Sequence, residues 1–302
     1  LLAVVAAALS LSACDGGPHE ETDANIVTTI YPLKMIVSEI TGRTESVACL
    51  LPPGASPHTF EPLAADLARI RNARLFVRVG AGLDDWAGRL LAAVERRPTT
   101  LTLMDIEGIR PIHRLAADGH AHDDGHHHSD IDPHVWLDPV RVRDHIVPAL
   151  VEELVRLDPE RAKDYRLSAA RFRTLLSETD TKLRETLAPV RGRSFLAFHD
   201  TWRYFAERYG IEQHAAVHEF AGEEPTPREI AEIVRSLRGS ETRTVIVEPQ
   251  FSPRLAETVS AEIDGNIATA DPMGSPDAPD RNDYDGLMRS NGESFLAALS
   301  TK

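Results

Sequence analysis

Cysteine is almost missing from this chain: its 302 residues include only two, Cys14 and Cys49. No Cys-x-x-Cys pair occurs, which excludes a zinc site built on thiolates. A surplus of basic residues is missing too. With 33 Lys and Arg against 47 Asp and Glu, the net charge is −14. No basic stripe interrupts it, so a surface that grips nucleic-acid phosphates is excluded. No apolar run reaches the ~20 residues that a membrane-spanning helix needs. The patterns HExxH, GxSxG and the phosphate-binding P-loop are all absent. What is present is 42% hydrophobic and 26% charged, the balance of a folded globular protein. The length suits two lobes better than one. An acidic surface suits a collector of cations, but it is also ordinary solubility.

Residues 1–13 form an apolar stretch rich in Ala, Leu and Val, with the length of a signal-peptide core. It ends in Leu11-Ser12-Ala13-Cys14, which resembles a bacterial lipoprotein box. That resemblance implies a signal peptide over 1–14, lipid on the Cys14 thiol, and a polar tether over 15–24. It also leaves Cys49 with no disulfide partner in the chain. Cys49 sits in an apolar run and reads as a small buried hydrophobe.

Short β-branched runs then alternate with helix-like segments. Strands are expected at 26–31, 46–51, 75–79 and 101–104, with helices at about 61–71 and 84–94. This rhythm argues for a mainly parallel sheet faced by helices. Residues 113–133 break it with His113, His120, His122, His126, His127 and His128 among Asp and Gly. Such a segment buries no core and is expected to be a mobile surface loop. From 139 to about 190 the pattern is helical. Asp158-Pro159 has the form of an N-cap with Pro at the first helical position. About thirty residues without Gly or Pro follow, enough for a helix of ~45 Å.

Beyond it the rhythm resumes. Strands are expected at 194–198, 244–247 and 266–270. Helices are expected at 202–209, after Thr226-Pro227, and after Ser252-Pro253. The expected fold is therefore α/β: two Rossmann-like lobes with mainly parallel sheets, over 25–140 and 191–302, joined by a helical region over 141–190 that contains one long backbone helix.

Three histidines share a setting. His58 precedes an expected helix, His134 follows the His-rich segment, and His199 ends an expected strand. Ligands in open α/β sheets collect at the carboxyl ends of strands, so these positions can converge. Asp271 follows the last strand in the same way. Three imidazoles and one carboxylate make a sensible four-coordinate zinc shell. Two ligands before the long helix and two after it would make the metal a bolt between lobes. A lone His at a strand end is nonetheless more often structural than a ligand.

The blocks 57–62 (Pro-His-Thr-Phe-Glu-Pro), 134–139 (His-Val-Trp-Leu-Asp-Pro), 198–210 and 247–252 resemble the signature blocks of the zinc- and manganese-specific solute-binding proteins of bacterial ABC transporters. The likeness runs from about Ile26 to the C-terminus. It implies a rigid two-lobed monomer, not an enzyme, with a backbone helix and a metal buried between lobes. His58, His134 and His199 match the three nitrogen ligands of zinc members; manganese members place Glu where His199 stands. Asp271 matches the fourth, carboxylate ligand that many members use, while others use water. Glu248, in Glu248-Pro249-Gln250-Phe251, is read as a residue beside the ligands, with a purely structural role the equal alternative. Trp136 and Trp202 are read as packing around the site.

The implied cargo is Zn2+, and the implied partner is a membrane permease with its ATPase, met at the outer face of the cytoplasmic membrane. His120, His122, His126, His127 and His128 are candidates for weak auxiliary zinc capture. Three further readings remain. A manganese-specific relative shares the blocks, and a periplasmic zinc buffer or adhesin needs no transporter. A zinc hydrolase also uses three histidines, but it needs a general base and room for substrate at an open metal position.

Overall fold

The computed structural model describes residues 25–113, 131–218, 226–237 and 239–301. Cys14, the tether and His120, His122, His126, His127 and His128 lie outside the described residues. Among the described residues, eight short strands form two four-stranded sheets. The first contains β1 (Ile26–Thr28), β2 (Val47–Cys49), β3 (Leu75–Arg78) and β4 (Thr99–Thr102), in the order β2-β1-β3-β4. The second contains β5 (Ser194–His199), β6 (Glu212–His218), β7 (Thr244–Val247) and β8 (Asn266–Thr269), in the order β6-β5-β7-β8. Every pairing is parallel. Fully buried central runs such as Ile26-Val27-Thr28 and Thr244-Val245-Ile246-Val247 are what parallel sheets covered on both faces require.

The crossovers are helices. In the first half they are α1 (Tyr31–Thr41), α2 (Ala64–Asn72) and α3 (Trp86–Ala93). A helical stretch follows: α4 (Pro139–Arg141), a π turn (Val142–Ile146), α5 (Val147–Leu157) and α6 (Ala162–Leu187). The second half adds α7 (Arg203–Tyr209), α8 (Pro227–Leu237), α9 (Pro253–Glu262) and α10 (Tyr284–Ser300). The α/β class, the parallel sheets and the long helix agree with the sequence reading. The strand expected over 26–31 is shorter, because the chain leaves β1 at Thr28 and enters α1 at Tyr31. Pro32 sits in that helix's first turn and Gly42 closes it in the left-handed conformation, φ 64°.

Asp158 does not cap the long helix. Its side chain accepts from Tyr165 Oη at 3.3 Å, and 3-10 turns at Pro159–Arg161 and Ala188–Val190 flank the 26 residues of α6. At ~1.5 Å per residue α6 is ~39 Å long.

This helix packs against α1, α5 and α10. Phe172, Leu176, Leu183 and Leu187 on α6 belong to a single buried apolar cluster that reaches from Ile26 and Ile36 to Phe195 and Phe295. The interior is thus continuous across both sheets. Two smaller clusters cover the outer sheet faces, one around Phe76 and Trp86 and one around Val245 and Val259.

Polar bonds add to this joint. Trp136 donates its indole N–H to the Pro272 carbonyl at 2.8 Å, and Tyr284 donates its hydroxyl to the Trp136 carbonyl at 2.6 Å. Arg208 holds both oxygens of Asp138 at 2.8 and 2.7 Å. Among the described residues no helix is long and apolar enough to cross a membrane.

Candidate metal centre

Each of the three histidines is placed by a different local device. His58 lies in the loop between β2 and α2. There Ala55 closes a turn on the Pro52 carbonyl, and the Trp86 indole N–H holds the Pro57 carbonyl at 2.9 Å. His134 stands at the N-cap position of the 3-10 turn Val135–Leu137. His199 is the last residue of β5, where a parallel strand delivers its side chain to the carboxyl edge of the sheet. His134 and His199 are buried and His58 is half-buried.

The rings converge. Their centroids lie 5.8 Å (His58–His134), 4.8 Å (His58–His199) and 5.2 Å (His134–His199) apart. One nitrogen from each falls within 4.8 Å of the other two. In a tetrahedral zinc shell, nitrogens at about 2.0–2.1 Å from the ion sit about 3.4 Å from one another, so a small inward adjustment closes the set. The three line a cavity of about 20 Å³ together with Thr201, Glu248, Phe251 and Met273. A space of ~10–15 Å³ holds one water. This one has room for a single ion or water among the three rings.

Two orienting partners went unread in the sequence. Asp132 Oδ1 accepts from the His134 backbone N–H at 2.9 Å and bonds His134 Nδ1 at 2.7 Å. The Thr201 hydroxyl bonds His199 Nδ1. With Nδ1 engaged in both rings, Nε2 is the nitrogen left to meet a cation. The only signal for this was local: an acceptor two residues before His134 and another two residues after His199.

Glu248 follows β7 and is almost wholly buried at the cavity wall. Burial raises its carboxyl to about 8, and the Asp271 charge adds to the rise; the Trp202 indole and the backbone at His199 oppose it. Asp271 is buried too, but it neither joins the three-histidine group nor lines the cavity. Its Oδ1 accepts from the Met273 and Gly274 N–H groups at 2.9 and 3.0 Å, and Oδ2 lies 3.3 Å from Arg281 Nε. The Trp136 ring lies 5.2 Å from the His134 ring, tilted against it, and Trp202 packs on Phe205 and Phe295, in keeping with packing roles.

An α/β protein of two parallel sheets and a long helix, with three histidines converging on a small cavity, has the form of a metal-specific solute-binding protein. The chain belongs to the family described as zinc-uptake complex component A, periplasmic, whose model matches residues 26–298. Its members are binding components of metal-uptake systems and not enzymes.

The zinc-binding lipoprotein AdcA of Streptococcus pneumoniae is 28% identical over 305 residues, 96% of this chain; the chain spans only 59% of that relative's length. The high-affinity zinc uptake system protein ZnuA of Yersinia pestis is 26% identical over 98% of this chain and 96% of its own. The manganese-binding lipoprotein MntA of Halalkalibacterium halodurans is 27% identical over 99% and 97%. A crystal structure of ZnuA superposes with a TM-score of 0.76 at 27% identity, covering 91% of this chain and 98% of that one.

Proposed function

We propose that this protein captures one zinc ion outside the cytoplasm and delivers it to a membrane permease driven by an ATPase. His58, His134 and His199 are the proposed ligands. Above all, three imidazole nitrogens within 4.8 Å of one another around a cavity of about 20 Å³ support the reading. Three nitrogens favour zinc over manganese by ligand type and by the Irving–Williams order, and manganese prefers oxygen. The similarity to a manganese-binding lipoprotein makes the donor set the deciding feature.

Asp271 is proposed for the fourth position, with Arg281 Nε 3.3 Å from its Oδ2. Glu248, a buried carboxyl on the cavity wall, is proposed to stand beside the ligands without binding the ion. Cys14 is the proposed site of acylation, anchoring a monomer to the outer face of the cytoplasmic membrane. The lipoprotein names of two relatives support this. The histidines between His120 and His128 are proposed to hold further zinc weakly.

Competition titration with zinc and manganese tests the centre of the proposal. The expected result is one tight zinc per chain, with manganese much weaker. Deleting residues 118–129 should remove weak sites and leave the tight one. The chain closes naturally there, since His113 and Ile131 already pair as an antiparallel bridge. A deletion that abolished tight binding, or a preference for manganese, would overturn the assignment.

A further inference from the structure

The Asp132 carboxylate is fully buried, yet it does not line the cavity and does not belong to the three-histidine group. Its Oδ1 bonds one residue twice, through the backbone N–H and Nδ1 of His134. A carboxylate accepts and does not donate, so Nδ1 carries the proton and the lone pair is left on Nε2. Holding the backbone and the ring together also fixes the direction of the ring.

Asp132 is itself held from the other half of the molecule. Tyr204, on α7 beyond the long helix, donates its hydroxyl to the Asp132 carbonyl at 3.1 Å. The same hydroxyl accepts from the Ile112 N–H at 3.2 Å, while the Asp132 N–H donates to the Ile112 carbonyl at 2.8 Å. Two bonds therefore hold the backbone from which the carboxylate reaches His134, and the third ties their two partners together.

Resting on the zinc-binding reading above, we propose that Asp132 is the positioning residue of the site. It locks His134 in the Nδ1–H tautomer with Nε2 presented to the metal, and Tyr204 holds it there. The arrangement has a further electrostatic effect. A buried negative charge behind an imidazole raises its basicity toward the cation and offsets part of the cation's charge. A turn-forming Asp with no other role would do neither.

The variants Asp132→Ala, Asp132→Asn and Tyr204→Phe separate these roles, with His134→Ala as the control. Asn keeps an acceptor oxygen of the same shape and loses the charge. Zinc affinity, by competition with a chelator, should fall about 10- to 100-fold in Asp132→Ala, by less in Asp132→Asn, and least in Tyr204→Phe. Circular dichroism of the metal-free variants checks the fold; if Asp132→Ala does not fold, the Asn and Phe variants carry the test. Long-range 15N–1H correlation on metal-free, 15N-histidine-labelled protein reads the tautomer directly. His134 should be Nδ1–H in the parent and a mixture in Asp132→Ala.

An Nε2–H tautomer in the parent, or Asp132 variants with unchanged affinity, overturns the positioning role. If His134→Ala itself keeps parental affinity, the zinc-site reading fails instead.

Discussion

Backbone geometry brings each histidine to the cavity, but side-chain partners decide which nitrogen it offers. Removing a ligand leaves a gap that water fills only in part, and removing an orienting group leaves the ligand in place but loose. His58→Ala, His134→Ala and His199→Ala should therefore each weaken zinc by more than the about 10- to 100-fold expected when only an orienting partner is lost. Asp271→Ala should weaken zinc less than any of them, because this carboxylate is already committed to two backbone N–H groups and Arg281. The same substitution should cost stability, about 1–3 kcal/mol, by stranding those buried donors. Calorimetry with zinc and urea unfolding of the four metal-free variants measure both effects. An Asp271 variant as poor in zinc as the histidine variants, with unchanged stability, would make Asp271 a full ligand and remove its structural role. Protons compete for the same lone pairs. Free imidazole titrates near pH ~6.5, so zinc affinity should fall as pH drops below about 6, with proton uptake on release. A flat response from neutral to mildly acid pH would count against a three-imidazole site.

Among the elements, α6 and α10 meet closely at Gly292. A Cβ built there would lie 2.4 Å from Leu183 Cδ2, and Leu183 is buried in the central core. Alanine is worth about 1 kcal/mol over glycine in a helix, but overpacking a core costs about 1–3 kcal/mol. Gly292→Ala should lower the urea midpoint, a net loss of up to about 2 kcal/mol. A raised midpoint would mean that Leu183 swings aside and the close approach is dispensable.

At this scale the strands β3, β5 and β7 were legible, since fully buried parallel strands are continuous apolar runs. Helix α1 was not. Its first residues continue the β-branched run of β1, and only Pro32 and Gly42 marked its ends. Strand β6 was also missed. Glu212-Gln213-His214 opens it with three polar residues, and its place beside β5 at the sheet edge is fixed by backbone pairing, not by hydrophobicity.

For the whole molecule, the continuous core matters more than the division into two sheets. One apolar cluster runs through α6 into both sheets, and the Trp136–Pro272, Tyr284–Trp136 and Arg208–Asp138 bonds cross the same joint. Rotating the halves apart would expose that core and break those bonds together. Zinc binding should accordingly leave the overall dimensions nearly unchanged, with the radius of gyration from small-angle X-ray scattering shifting by less than about 1 Å. A larger contraction would show a hinge that the continuous core argues against. Release of the ion would then depend on local changes at the site, such as the loop that carries His58, the most exposed of the three histidines.

The sequence by itself determined the α/β rhythm, the long helix and the three histidines, because these are written in local periodicity and in short blocks of recognisable order. Only the tertiary structure decided which carboxylates do what. Asp132, Glu248 and Asp271 are all acids beside strand ends or turns, and nothing local separates them. In the fold, one carboxylate bonds the His134 ring, one stands on the cavity wall, and one accepts from backbone N–H groups beside an arginine. The physical reason is that a carboxylate's role is set by the donors within about 3 Å of its oxygens. For Asp271 these donors are the Met273 and Gly274 N–H groups and Arg281, and folding also brings the Tyr204 hydroxyl, 72 positions away in sequence, to the main-chain carbonyl of Asp132.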